Sequence, residues 1–182
     1  LNATLEALQD AAAHHDLILT SGGVSVGEED HVKPAVSALG QLNLWQISMK
    51  PGKPFALGHI NVTVESERRK SYFIGLPGNP VSSFVTFQLL VKPFLSALQG
   101  ANLATPKPYR LQANFDFLKP DKRREFLRVR RNAEGGLDLF PNQSSGVLTS
   151  VVWGDGLVDN PGSNPIHAGD WVQFYPFEDR LP

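Results

Sequence analysis

Leu1, Leu5, Leu8 and Ala12 recur at helical spacing and predict an amphipathic helix over Asn2–His15, whose closing histidines complement the helix dipole. Leu17-Ile18-Leu19 is an apolar run too short for a helix, and predicts a strand covered on both faces, as in a parallel sheet. A helix that enters a parallel strand normally follows an earlier strand, and Leu1 is not an initiator Met, so a segment upstream is expected. Residues 31–39 predict a second helix stopped by Gly40, and Leu42–Met49 a strand with Trp45 and Ile47 on one face. Phe55–His59 and Tyr72–Ile74 predict further strands, with the polar stretch Asn61–Lys70 between them as an exposed hairpin tip. Val81–Leu98 is helical in pattern, with Phe84, Phe87, Leu90 or Val91, and Leu95 as its core face and a kink at Pro93.

Beyond the linker-like Gly100–Pro108 the pattern changes from strand-helix alternation to strands and turns. Tyr109–Leu118, Arg124–Arg131, Leu137–Phe140, Val147–Val152 and Trp171–Tyr175 are the strand candidates, and Gly135-Gly136 is a hairpin signal. The expected organisation is an α/β domain with a mostly parallel sheet over 1–103, followed by a small all-β, barrel-like domain over 104–182.

Composition adds a few exclusions. The 41% of hydrophobic residues can supply real cores, and 17 basic against 18 acidic side chains give no net charge that calls for nucleic acid or an anionic membrane. The absence of cysteine removes disulfides and thiolate metal sites and permits a cytoplasmic setting. The most apolar stretch, Phe84–Val91, is far short of a bilayer span. Seven of the thirteen residues from Lys119 to Arg131 are Lys or Arg, but Asp121 and Glu125 interrupt them, and a solvated basic face is the expectation.

Candidate chemistry lies in three loops, each after a predicted strand, and together they outline an anion pocket at the carboxyl ends of those strands. Thr20, Ser21, Gly22, Gly23 and Ser25 offer backbone N–H groups and hydroxyls suited to a phosphate-like anion. Glu28, Glu29 and Asp30 follow them and suit a hard cation such as Mg²⁺, although Asp30 could equally cap the next helix. Lys50-Pro51-Gly52-Lys53-Pro54 is a proline-stiffened turn with two cations. Gly75-Leu76-Pro77-Gly78-Asn79-Pro80 precedes a helix whose first N–H groups, those of Val81, Ser82 and Ser83, are predicted free for an anion.

Taken together, Thr20-Ser-Gly-Gly-Val-Ser-Val-Gly with Asp30 and Lys33, Lys50-Pro-Gly-Lys-Pro and Gly75-Leu-Pro-Gly-Asn-Pro resemble the C-terminal part of the molybdopterin molybdenumtransferase family, bacterial MoeA and the gephyrin E-domain. The resemblance implies a three-layer molybdopterin-binding α/β domain and insertion of molybdate into adenylylated molybdopterin with release of AMP. It implies Asp30 as an Mg²⁺ ligand and Lys50, Lys53, Ser82 and Arg123 around the reacting oxyanion. Thr20, Ser21, Gly22, Gly23, Ser25, Pro54, Pro77, Gly78, Asn79, Pro80 and Ser145 would line the substrate site, with Arg124 and Ser144 as neighbouring competitors of Arg123 and Ser145. The resemblance further implies more acidic metal ligands upstream of Leu1, a homodimer whose subunits share the active site, and the molybdopterin adenylyltransferase as a partner. A non-catalytic molybdopterin-binding or scaffold module, as in gephyrin, is the alternative.

Overall fold

The computed structural model describes residues 1–24, 31–101 and 107–177, and of Leu44 and Trp45 the backbone alone. In chain order the elements are α1 (Asn2–His14), β1 (Leu17–Ser21), α2 (Val32–Leu39), β2 (Gly40–Gln46), β3 (Met49–Lys50), β4 (Pro54–Val64), β5 (Glu67–Leu76) and α3 (Pro80–Thr86). A π-helical turn (Phe87–Val91) leads to α4 (Lys92–Leu98), then β6 (Tyr109–Gln112), β7 (Arg124–Arg131), β8 (Leu137–Leu139), α5 (Thr149–Trp153), β9 (Gly156–Asn160) and β10 (Trp171–Pro176). The chain forms two compact units, the first made of Leu1–Ile47 with Lys53–Asn79, the second of Ser48–Gly52 with Pro80–Pro182.

In the first unit the strands lie in the order β1-β5-β4-β2. The α/β class holds, but the sheet is mixed rather than mostly parallel: β1 pairs β5 in parallel, while β5–β4 and β4–β2 are antiparallel. The reason is local. Glu65 and Ser66 both take positive φ, +49° and +70°, in a two-residue hairpin turn, and such a turn can join only antiparallel strands. β1 stands at the sheet edge, so Leu19 is 41% exposed instead of covered on both faces. Leu8 and Ala12 of α1 and Ala35 and Val36 of α2 pack with Ala56, Ile60 and Phe73 into one core, as the spacing of the first helix requires. The His14 ring meets the Asp10 carbonyl at 2.8 Å, within the last turn of α1.

The second unit is built on a sheet of order β3-β7-β9-β10-β6, with β8 also paired to β7. A lone bridge, Ala113 to Leu137, links the end of β6 to β8, so among the described residues no continuous ladder closes a barrel. Ala113, Leu127, Val129, Leu137, Val158, Ile166, Val172 and Phe174 form its core. Two expectations fail here. Val147–Val152 is not a strand; Thr149–Trp153 is a helical turn in which Val151 N–H donates to the Leu148 carbonyl at 2.9 Å. β9, absent from the sequence reading, is buried along its whole length.

The helix predicted over 81–98 widens into a π turn just before Pro93, whose missing N–H could not serve the carbonyl four residues back. In α3, ahead of the wider turn, Val81, Ser82, Val85 and Thr86 are buried, and Val91 is buried at its end, while Phe84 is half-buried against Phe177, edge to face at 4.9 Å. At 19 residues Pro80–Leu98 is, against the expectation for Phe84–Val91, long and apolar enough to pass for a membrane span, yet its valine side is buried in this unit.

Candidate functional site

Strand register brings several of the predicted loops to one end of the first unit's sheet. Ser21 lies opposite Leu76, Ala56 opposite Gly75, and Gln46 opposite Pro54. β1 and β5 therefore end where β4 begins, and Thr20–Val24, Lys53–Pro54 and Pro77–Asn79 all emerge there. Such an edge, outside the carboxyl ends of parallel strands, is where ligands of α/β sheets sit.

Gly22 and Gly23 turn the chain sharply, with φ of +100° and +71°, a region open to glycine without strain. Gly22 N–H donates to the Leu76 carbonyl at 2.9 Å, and Thr20 Oγ1 donates to the Gly22 carbonyl at 3.3 Å. The two glycine loops approach closely: a Cβ placed on Gly78 would lie 3.8 Å from the Gly22 Cα. Val24, buried, then pins the loop to the sheet over Gly75. Lys53 is exposed, and its carbonyl accepts the Ile47 N–H at 2.8 Å, which fixes the backbone that carries the cation. Pro77 is buried, whereas Gly78 and Asn79 are exposed.

Ser25 and Asp30, with Glu28 and Glu29, lie outside the described residues, so both the metal assignment and the capping alternative for Asp30 rest on sequence. The N-cap position of α2 is His31. Among the described residues no group of three or more His, Asp or Glu side chains could hold a metal ion. The acidic triplet follows the Val24 anchor closely in the chain, and its hard oxygen donors are of the type Mg²⁺ takes.

The second unit holds Lys50, Ser82, Arg123 and Ser145, along with Pro80. Lys50 Nζ lies 3.1 Å from Glu125 and 3.6 Å from Asp121. Arg123 grips Asp121 through Nε at 3.0 Å and Nη2 at 2.8 Å, and its own N–H donates to the same carboxylate at 3.0 Å. These bonds to Arg123, with a smaller pull from Lys50, hold the Asp121 carboxyl well below the usual carboxylate range, and Asp121 in turn raises the Arg123 guanidinium. Arg124, the competitor, forms a bidentate pair with the buried Asp159. Both arginines and Lys50 are thus engaged by carboxylates within the chain.

Five of the seven basic side chains of the run, Lys119, Lys122, Arg124, Arg130 and Arg131, are exposed, as expected of a solvated face. Arg130 lies 4.5 Å over Trp153 and near Asp138, Arg131 meets Asp155 at 3.7 Å, and Arg128 is buried. With Arg123, Arg124, Arg130 and Arg131 each beside a carboxylate, the strand offers little free charge to nucleic acid.

Ser82 is buried at the start of the helix, and the preceding Val81 N–H is not free as predicted; it donates to the Ser145 carbonyl at 3.1 Å. Gly52, with φ of +112°, packs so closely on this helix that a Cβ there would fall 2.6 Å from Thr86 Oγ1. The Thr86 hydroxyl is buried and has no hydrogen-bond partner among the described residues. Sequence reasoning missed Arg128, and the available signal was a cation set inside the apolar run Phe126-Leu127-x-Val129 of a central strand.

Comparison with known proteins places these features in a family. Residues 1–97 match the family described as "Probable molybdopterin binding domain", and residues 110–177 match "MoeA C-terminal region (domain IV)". The chain is 43% identical over 180 residues to a molybdopterin molybdenumtransferase of Haemophilus influenzae, covering 94% of this chain and 42% of the relative. It is 34% identical over 164 residues to the molybdenum cofactor synthesis protein cinnamon of Drosophila melanogaster, covering 87% of this chain and 26% of that one. A solved molybdenum cofactor biosynthesis protein from Pyrococcus furiosus shares the fold with a TM-score of 0.66 at 23% identity, over 93% of this chain and 53% of that one. The chain therefore spans less than half the length of these curated relatives.

Proposed function

The chain belongs to the MoeA family of molybdopterin-binding proteins, and from that premise we propose that it is the part of a molybdopterin molybdenumtransferase that grips adenylylated molybdopterin while molybdate is inserted and AMP is released. The observation that carries this reading is the shared sheet end of Thr20–Val24, Lys53–Pro54 and Pro77–Asn79. Each contributes what a phosphorylated guest needs. The glycine turns, held by the Thr20 hydroxyl, let the backbone approach an anion, Ser21 adds a neutral hydroxyl, and the exposed Lys53 adds a cation on a backbone fixed before binding. Preorganised donors at the leaving phosphate and at the tetrahedral molybdate dianion lower the cost of transfer without moving at the moment of reaction. The thiols that receive molybdenum belong to the substrate, so the absence of cysteine is compatible with the chemistry.

Asp30 is the assigned Mg²⁺ ligand, and that ion, when bound, would screen the phosphate charge. Ser82, Ser145 and Pro80 are assigned to the substrate site, with Lys50 and Arg123 as supports whose charge is shared with Asp121 and Glu125. The domain assignment is residues 1–103 for the pterin-binding part and 104–182 for the C-terminal part. The reading extends to a cytoplasmic homodimer with a shared site, and to the molybdopterin adenylyltransferase as a partner that supplies the activated pterin.

A scaffold or binding module is the second reading, favoured by the pairing of Lys50 and Arg123 with carboxylates. Calorimetry with adenylylated molybdopterin, Mg²⁺ and molybdate separates the two. Metal-dependent binding coupled to AMP release supports the transferase, whereas pterin binding indifferent to Mg²⁺ and without AMP release supports the scaffold.

A further inference from the structure

The hairpin of β4 and β5 runs on past its neighbours. β2 reaches β4 only as far as Ile60, opposite Gly40, and β1 reaches β5 only as far as Tyr72, opposite Leu17. Beyond those points residues 61–64 and 67–70 pair only with each other, a ribbon whose outer edges are uncovered among the described residues. Strand alternation sorts its side chains. Arg68 and Lys70, opposite Thr63 and Asn61, share a face with Tyr72 and His59, whereas Arg69, opposite Val62, lies on the other face and meets Asp16 at 2.9 Å. Arg68 and Lys70 are exposed and have no carboxylate partner among the described residues. At their inner end Tyr72 is 41% exposed, and so is Leu19, which β1 places on the same face. The backbone is presented as well. Tyr72 N–H points outward to the Asp16 carbonyl at 2.8 Å, and alternation turns the N–H and C=O groups of Lys70 and Arg68 to the same side, past the start of β1.

An open row of backbone groups, two unneutralised cations and an apolar patch beside them are answered together by one kind of guest. We propose that this edge of β5 is a docking site for an extended acidic segment of a partner protein. The segment adds as a strand along residues 67–70, with carboxylates at alternate positions facing Arg68 and Lys70 and an apolar side chain beyond them over Tyr72 and Leu19. The edge offers roughly 13 Å of strand, enough for two such carboxylates. Exposed ion pairs are individually weak, so the ladder supplies the affinity and the charges supply the choice of partner. Basic side chains on a free edge repel neutral or basic strands and admit an acidic one. Nucleic acid fits less well, because two cations neutralise few phosphates and the outward carbonyls repel them. The site lies at the opposite end of β5 from Leu76 and the glycine loops, so it is independent of the transferase reading.

The test titrates the intact protein with a fluorescent peptide of about ten residues that alternates glutamate and valine, with leucine closing the acidic face at each end, and with its lysine counterpart. Anisotropy shows the acidic peptide bound and the lysine peptide not. Binding weakens at least about tenfold in the Arg68→Gln, Lys70→Gln double variant, while Arg69→Gln, on the other face, stays within about twofold of the parent. In the parent complex the Arg68 and Lys70 amides exchange with solvent roughly tenfold more slowly than in the free protein, an effect that contact through side chains alone would not produce. That measurement needs no variant and stands even if the double variant does not fold. No binding of the acidic peptide, equal binding of both peptides, an equal loss in Arg69→Gln, or unchanged exchange at the two amides overturns the proposal. Tighter capture of a single-stranded oligonucleotide of the same length, lost in the double variant, assigns the face to nucleic acid and overturns it too.

Discussion

Val24 Cγ1 lies 2.1 Å from the position a Cβ on Gly75 would occupy. The loop after β1 is seated on β5 because residue 75 has no side chain. Gly75→Ala is expected to cost about 1–3 kcal/mol by overpacking and to lift the Thr20–Val24 loop. Chemical denaturation checks the cost, and a Gly75→Ala, Val24→Ala double variant should recover part of it, since the two residues share one space.

The two lysines of the Lys-Pro-Gly-Lys-Pro turn should separate in their effects. Lys53 is exposed, so Lys53→Ala should change stability by less than about 0.5 kcal/mol while weakening pterin binding. Lys50 neutralises Glu125, whose side chain is 3% exposed, so Lys50→Ala leaves a buried carboxylate with less compensation and should cost roughly 1–3 kcal/mol. Parallel urea melts and binding isotherms on both variants check the contrast.

Asp121 makes the stability of the second unit depend on acid. Its folded carboxyl titrates below the unfolded one because Arg123 donates to its charged form. The stabilisation is therefore complete above about pH 4 and is lost as pH falls through the folded value. Asp121→Asn should show a shallower loss of stability between neutral and strongly acidic pH than the parent, as measured by urea melts across that range.

Thr86 Oγ1 is buried without a partner beside Gly52. Thr86→Val replaces the hydroxyl by a methyl of similar size and should be neutral or stabilising by up to about 1 kcal/mol, while Gly52→Ala meets both the contact and a φ of +112° and should destabilise. Thermal melts of the two variants decide the signs.

How much of this was legible in the sequence depended on whether local pattern or distant partners set the structure. Arg124–Arg131 and the region around Trp171–Tyr175 were readable as strands from apolar and β-branched runs bounded by turn residues. β9 was hidden because its polar Asp159 and Asn160 are buried by partners far away in sequence or across a turn, Arg124 for one and Asn164 for the other. Val147–Val152 has strand composition but forms no ladder; Ser150 turns inward to Arg128, and tertiary contact overrides propensity. The inward face of the helix after Pro80 was read from its largest apolar residues, whereas the smaller Val81, Ser82, Val85 and Thr86 are the ones buried. The candidate loops were legible as following strands and meeting at one carboxyl edge, whereas the hairpin register that brings the start of β4 to the same edge came only from the pairing. Likewise the charges of Lys50 and Arg123 were visible, but the carboxylates that occupy them were seen only as interruptions of a basic run.

The transferase account stands on the loops at that sheet end together with Asp30. Its most direct measurement is reconstituted molybdenum transfer by the intact protein, comparing the parent with an Asp30→Ala, Lys53→Ala double variant at saturating molybdate. The account predicts AMP release and product formation in the parent and a fall of at least about a hundredfold in the variant, its fold unchanged by circular dichroism. Parent-like turnover in the double variant would contradict it.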